Sequence, residues 1–191
     1  MASWSAIQAV SAAIQSILEI GRNDTPFASA TIELFQTSSF AAPPVEGVSI
    51  YLYRVGLHGA QRNLPPRRSP DGTCYRPSLP LDLHYLLTPW ARTVTRQQEL
   101  LGWLIRTLED QQLLPAALLN RGTAVFGANE GVDLIAQPLA SAELVAVWEF
   151  NKAVMQPSMT YVARMVLLDS NIVHPEGPRL QSRGLAGEPR P

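Results

Sequence analysis

The strongest strand pattern in the sequence lies at residues 45–57, VEGVSIYLYRVGL. Val48, Ile50 and Leu52 alternate there with serine and tyrosine, and β-branched and aromatic residues favour the pleated surface of a sheet. Residues 80–89, PLDLHYLLTP, carry apolar side chains toward both faces, which is typical of a strand covered on both sides. These two segments therefore predict the centre of a β-sheet.

Three segments have the three- and four-residue apolar spacing of amphipathic helices. The first ends at Gly21, and its apolar stripe comprises Trp4, Ile7, Val10, Ile14, Ile17 and Leu18. The second follows Thr95 and is closed by Pro115. The third, AELVAVWEFN, has Ser141 as its N-cap and is expected to direct inward Leu144, Val147, Trp148 and Phe150.

Further strands are predicted at residues 30–35, 132–136 and 159–167. Strands then follow one another directly as well as alternating with helices, in the order α-β-β-(long loop)-β-α-β-α-β. This order favours an α+β domain with a single mixed, largely antiparallel sheet flanked by helices. The domain is predicted to span residues 1–170, and residues 171–191 have the composition of a flexible tail.

The composition favours association with other proteins over binding to nucleic acid. Charged residues make up 16% of the chain and hydrophobic residues 46%, whereas charged residues average about 25% in soluble domains. A domain with so few charges exposes apolar surface or covers it with a partner. The net charge of −1 gives no electrostatic attraction to nucleic acid or to an anionic membrane. The single cysteine, Cys74, excludes an internal disulfide and a metal site built from cysteines.

The amino-terminal segment lacks the basic stretch of a signal peptide. No uninterrupted apolar run approaches the ~20 residues that a membrane-spanning helix needs. We therefore expect the protein to be made and folded in the cytoplasm, without membrane contact.

Residues 58–80, HGAQRNLPPRRSPDGTCYRPSLP, interrupt the strand pattern with prolines and an Asp-Gly pair. They predict a long loop, or a hairpin that turns at Asp71-Gly72. A segment of this length without regular structure is uncommon inside a compact domain and is usually functional or disordered. Its prolines limit the entropy lost on docking, so we expect it to act as a docking arm.

The same segment contains a cluster of arginines next to Tyr75: Arg62, Arg67, Arg68 and Arg76. Three interpretations remain open, namely a solvated loop, a protein–protein contact and a site for single-stranded nucleic acid. Nucleic acid is the least favoured because the chain is neutral and no nucleic-acid-binding motif accompanies the cluster. Trp90 follows Pro89 in a predicted connector, where a tryptophan is a plausible interface residue.

Asp82 and His84 are the best candidates for catalysis, because residues i and i+2 of a strand share a face. The aspartate could orient the imidazole as a general base, with Cys74 or a serine as nucleophile. The alternative is a structural polar pair. The sequence has no phosphate-binding loop, nucleophile elbow, His-Glu-x-x-His motif or dinucleotide fingerprint.

Several stretches considered together resemble the cap, or tail-terminator, family of extracellular contractile injection systems. They are the amino-terminal helix, SIYLYRV followed by RNLPPR, the strand LPLDLHYLLTPWA, and the helix QQELLGWLIRTLED. The resemblance extends from Trp4 to Leu168, and the most specific part is LDLHYLLTP joined to ELLGW. These systems are phage-tail-like particles in which a contractile sheath surrounds a rigid tube.

The resemblance implies a tail-terminator-like domain that forms a hexameric ring at the end of the particle distal to the baseplate. There it would end the tube and sheath and hold the last sheath ring, with no catalysis and no cofactor. The implied partners are copies of the chain, the sheath protein and the inner tube protein. Assembly would occur in the cytoplasm, in a particle that can be released from the cell. The residues predicted to contact partners are Arg54, Arg62, Asn63, Arg67, Arg68, Arg76 and Trp90.

Overall fold

Six strands form one sheet, in the order β1-β2-β5-β8-β7-β6 across its width. The computed structural model describes residues 4–60, 64–122 and 124–174. Its strands are β1 (Thr31–Phe35), β2 (Gly47–Leu57), β3 (Arg67–Arg68), β4 (Cys74–Tyr75), β5 (Leu79–Trp90), β6 (Leu113–Pro115), β7 (Gly131–Ala136) and β8 (Met159–Leu168). Strands β1 and β2 are parallel and the other neighbours in the sheet are antiparallel, while β3 and β4 form a separate hairpin. The prediction of an α+β fold with a mixed, largely antiparallel sheet is confirmed.

Helices cover both faces of this sheet. They are α1 (Ala6–Gly21), α2 (Val94–Glu109), α3 (Ala116–Leu119), α4 (Ser141–Phe150) and a short 3-10 helix at Thr37–Ala41. Helices α1, α2 and α3 contribute to the main hydrophobic core on one face. The 3-10 helix and α4 contribute to a smaller aromatic cluster on the other face. No helix in the described part of the chain is both long and apolar enough to cross a membrane.

Strand β5 supplies side chains to both of these cores. Leu83, Tyr85 and Leu87 point into the main core, whereas Leu86 belongs to the aromatic cluster. All four side chains are at most 1% exposed. Full burial of such a side chain contributes roughly 1.5–3 kcal/mol, so this strand stabilises both layers at once.

A buried hydrogen bond ties α1 to β5. The hydroxyl oxygens of Ser11 and Tyr85 lie 2.9 Å apart, and the Ser11 hydroxyl is also 3.2 Å from the carbonyl oxygen of Ile7. Burial raises the pKa of the Tyr85 phenol above its usual range, and the bond to Ser11 only partly opposes this shift. The phenol therefore stays protonated inside the core.

Two predictions of inward-facing aromatic residues are wrong. Trp4 is 83% exposed and precedes α1, so it does not belong to the apolar stripe of that helix. Phe150 is also 83% exposed, at the last residue of α4. In α4 only Trp148 is fully buried, and Leu144 and Val147 are half-buried.

Several boundaries of the predicted helices also differ. Helix α2 begins at Val94, because the hydroxyl oxygen of Thr93 accepts a hydrogen bond from the backbone N–H of Arg96 at 3.3 Å. Thr93 is thus the N-cap, two residues before Thr95, after which the helix was predicted to begin. Helix α4 already includes Ser141, and the residue at its N-cap position is Ala140.

The helix that was predicted to be closed by Pro115 ends at Glu109. Leu113–Pro115 then form β6, one of the two edge strands of the sheet, which runs antiparallel to β7. A proline is acceptable at such an edge because no neighbour requires its missing N–H. The short strand and the single-turn helix α3 are too small to produce a recognisable sequence period.

Replacing Leu83 by alanine is expected to lower the free energy of unfolding by about 2–5 kcal/mol, because it leaves a cavity in the core. The matched control is Leu79→Ala on the same strand, where the side chain is 47% exposed. This control is expected to cost about 1 kcal/mol or less. Urea denaturation of both variants measures the difference. Equal stability of the two variants would contradict the central position of β5.

Candidate assembly interface

Residues 67–75 form the hairpin of β3 and β4, with Arg67 opposite Tyr75. The chain turns at Asp71-Gly72, where the carboxylate of Asp71 accepts a hydrogen bond from the N–H of Thr73 at 3.0 Å. Gly72 has a φ of +86°, a backbone conformation that favours glycine. The predicted turn residues thus lie at the tip of a short ribbon.

This hairpin is fastened to the end of β8 through Asp169. The hydroxyl of Ser78 donates to its carboxylate at 2.6 Å, and Nε of Arg67 lies 3.5 Å from Oδ2. The contact with Arg67 is an ion pair rather than a hydrogen bond, since its buried Nε has no acceptor in hydrogen-bonding geometry. The Arg67 guanidinium also lies over the Tyr75 ring, 4.7 Å from its centroid.

Residues 172–174 extend this ribbon along β4. Tyr75 forms a bridge with Val173, the N–H of Arg76 donates to Ile172 at 2.9 Å, and the N–H of His174 donates to Cys74 at 2.8 Å. The predicted tail begins at residue 171, so its first residues are held by backbone hydrogen bonds. The remainder of that predicted tail, 175–191, lies outside the described residues.

The predicted contact arginines differ in their exposure and in their contacts within the chain. Arg67 is half-buried and engaged within the chain, whereas Arg68 and Arg76 are exposed on the hairpin. Arg54 is exposed on β2, opposite His84 of β5. The predicted contacts Arg62 and Asn63 lie outside the described residues.

Trp90 is the last residue of β5 and not part of a connector. Its indole N–H donates to the hydroxyl oxygen of Ser49 at 2.9 Å. Its ring packs against Phe35 and Trp148, with centroid separations of 6.4 and 6.3 Å. Trp90 is half-buried, and these contacts commit much of its ring to the aromatic cluster of its own chain.

Asp82 and His84 do not form the proposed dyad. The Asp82 carboxylate instead lies 2.9 Å from Nδ1 of His58 and accepts the backbone N–H of Met165 at 3.2 Å. Met165 has a φ of +55° where the β5–β8 register shifts at a bulge. Asp82 therefore satisfies an amide in a distorted part of the ladder, which is a structural role.

The surroundings of His84 favour its neutral form. Burial lowers the pKa of His84 most, and Arg54 and Arg164 lower it further, while Asp82 opposes them. No group of three or more His, Cys, Asp or Glu side chains in the described ranges is placed to hold a metal ion. Asp82, which is bonded to His58 and to the Met165 amide, is therefore not placed to orient the His84 imidazole.

An exposed apolar segment follows the buried part of α4. We call Phe150, Val154 and Met155 the α4 ledge; their exposed fractions are 83%, 80% and 50%. Sequence reasoning missed this ledge because it assigned Phe150 to the core. One signal was available: α4 is apolar around much of its circumference, which is typical of a helix covered on more than one side. The α4 ledge is therefore a candidate for contact with another molecule.

A model of the Pvc16 N-terminal domain family matches residues 9–182. The chain belongs to the Pvc16 N-terminal domain family. This match and the structural likenesses below confirm the resemblance to the cap family of extracellular contractile injection systems. No curated protein matches the chain.

Two structures solved by cryo-EM share the fold of this member of the Pvc16 N-terminal domain family. One is the PVC sheath/tube terminator of an extracellular contractile injection system in its extended state, with a TM-score of 0.66 and 15% identity. The other is the anti-feeding prophage cap, a tube-terminating cap, with a TM-score of 0.60 and 14% identity. The match to the sheath/tube terminator covers 100% of this chain and 66% of the terminator chain. The match to the anti-feeding prophage cap covers 92% of this chain and 59% of the cap chain. The chain therefore spans about two thirds or less of their lengths.

In this Pvc16 N-terminal domain, Asp169→Ala is expected to loosen the hairpin without unfolding the sheet. The variant loses the hydrogen bond to Ser78 and the ion pair with Arg67. Amide exchange at Arg76 and His174 should therefore become about tenfold faster, which corresponds to a loss of roughly 1.4 kcal/mol in the free energy of local opening. Hydrogen-exchange mass spectrometry measures this change. The control is Asp133→Ala, an exposed aspartate of β7. Unchanged exchange in the hairpin would show that Asp169 does not fasten it.

NMR titration of His84 is expected to give a midpoint below the usual value of about 6.5. Arg54→Gln should raise that midpoint, whereas Arg92→Gln, in an exposed turn, should leave it unchanged. Because the folded state takes up this proton less readily than the unfolded chain, the contribution of His84 to stability decreases as the pH falls below about 6.5. A midpoint at or above 6.5 would contradict the described surroundings.

Proposed function

We propose that the chain is a structural cap subunit of a contractile injection system. In this role it forms a hexameric ring that ends the tube and sheath at the end distal to the baseplate and holds the last sheath ring. Its partners are other copies of itself, the sheath protein and the inner tube protein. The subunit assembles in the cytoplasm and becomes part of a particle that is released.

The observation that carries this proposal is the likeness of the whole chain to a sheath/tube terminator, together with the family match. The second likeness is to the tube-terminating cap of the anti-feeding prophage. The shared part covers 100% of this chain in the first comparison. We therefore infer that this chain, which has the same fold, also ends the tube and sheath of its particle.

The surface chemistry supports a subunit that closes into a ring. A cyclic ring joins one patch of each copy to a different patch of the next, so each subunit needs two contact surfaces. The α4 ledge offers exposed Phe150 and Val154 for one such contact. The hairpin, with Arg68 and Arg76 exposed, offers a polar surface for a second contact with a neighbour, the tube or the sheath.

The alternatives receive less support from the described residues. An enzyme based on Asp82 and His84 is disfavoured because Asp82 is bonded to His58 and to the Met165 amide. An adaptor that grips cargo or nucleic acid through the arginine cluster is disfavoured because Arg67 is paired with Asp169. We therefore propose a non-enzymatic role without a cofactor.

The proposal predicts that Phe150→Ser with Val154→Ser keeps the fold and prevents ring formation. Both side chains are at least 80% exposed, so the domain itself loses little buried area. Negative-stain imaging and solution mass of the purified protein, alone and with tube and sheath proteins, measure assembly. Six-fold rings or capped tube ends are expected for the wild type and not for the double variant.

The matched control is Val45→Ser, a 60% exposed valine in the loop before β2. It should assemble like the wild type. Tubes of normal length, formed when the chain is left out of the coexpression, would refute the terminating role. Normal capping by the double variant would refute only the part assigned to the α4 ledge.

A further inference from the structure

A cavity of about 270 Å³ lies where β7 and β8 separate. Their ladder runs from Ala136 opposite Tyr161 to Asp133 opposite Arg164. Beyond that point Gly131 and Val132 pair with β6, while Leu167 pairs with β5. The cavity lies between these diverging segments and opens to solvent.

The apolar walls of this cavity are held in place from both sides. Asn120 accepts the N–H groups of Val125 and Phe126 at 2.8 and 2.9 Å, and its amide donates to the Phe126 carbonyl at 2.9 Å. On the other side, the bulge residue Met165 is fixed through its amide by Asp82. A lining held by such bonds is ready to bind without a large ordering cost.

A carboxylate is fixed at the rim of the cavity. Oε2 of Glu130 accepts the N–H of Gly127 at 2.7 Å, and the N–H of Glu130 donates to the Gly127 carbonyl at 3.0 Å. Within the described residues, Oε1 of Glu130 has no hydrogen-bond partner. Asn129 is another polar residue that lines the same cavity. The rim thus presents an acceptor of fixed position and negative charge.

We infer that this cavity receives an arginine side chain from another protein. Its volume is below the roughly 300–1,000 Å³ of sites for drug-sized ligands, so a single side chain is the better fit. The half-buried apolar side chains of Met165 and Leu167 suit the methylene groups. The guanidinium, which is weakly hydrated and planar, suits Oε1 of Glu130.

This inference does not depend on the proposed cap function. The backbone of Met165 is left-handed, which is a strained conformation for any residue other than glycine. Strained residues of this kind cluster at functional sites. The bulge places Met165 in the wall of the cavity. The distortion of β8 therefore contributes both to the cavity and to the fixed position of its wall.

The test is an NMR titration of the full chain with N-acetyl-arginine N-methylamide. We expect saturable shifts at the amides of Gly127 and Gly131 and at the Met165 methyl group. The norleucine analogue has an apolar chain and no charge, and it should bind about tenfold more weakly or not at all. Equal shifts from the two compounds, or shifts confined to other residues, would overturn the inference.

Glu130→Gln should weaken binding of the arginine probe by about tenfold, because it removes the charge from the hydrogen bond. The glutamine keeps an oxygen that can accept the Gly127 N–H, so the turn is expected to remain. Glu143→Gln, an exposed change on α4, is the matched control and should bind like the wild type. Unchanged affinity in Glu130→Gln, with the wild-type spectrum otherwise retained, would also overturn the inference.

Discussion

The burial of β5 on both faces is the constraint on which the other elements depend. Its alternate side chains enter two different cores, so neither face of the sheet centre can be left in water. Helices α1 and α2 cover one face, and α4 with the 3-10 helix covers the other. Because the second layer is small, α4 leaves Phe150 outside it.

The polar residues of β5 show how a buried strand tolerates irregularity. The bulge opposite Asp82 removes the amide of Met165 from the ladder, and the carboxylate of Asp82 replaces the missing acceptor. His58 then becomes the second partner of that carboxylate. Asp82, which the sequence pattern paired with His84 as a candidate catalytic dyad, therefore has a structural role that follows from the bulge in β8. The same bulge forms one wall of the cavity next to Glu130.

The described surface includes three regions of different chemistry. The α4 ledge is apolar, the hairpin carries arginines, and the rim at Glu130 is acidic. Apolar contacts contribute affinity in proportion to the area they bury, whereas charged contacts mainly select the partner and the orientation. Regions of such different chemistry are suited to different kinds of contact.

Much of the fold was predictable from sequence because its periodic patterns are local. Alternation in β2, two-sided apolar character in β5 and helical spacing in α1 are properties of neighbouring residues. The resemblance to the cap family also rests on contiguous stretches, and the family match agrees with it. Short elements such as β6 and α3 were missed because they are too brief to establish a period.

The candidate sites depend on contacts between residues that are distant in sequence. Arg67 was expected to face a partner, but Asp169, far along the chain, pairs with it. Asp82 was expected to orient His84, but the bulge at Met165 and the position of His58 decide its partners. By itself the sequence determined, through periodicity, the α+β class and the order of the longer helices and strands. Only the tertiary structure decided which polar groups are satisfied internally, because hydrogen bonds and ion pairs require distances and directions that no local pattern specifies.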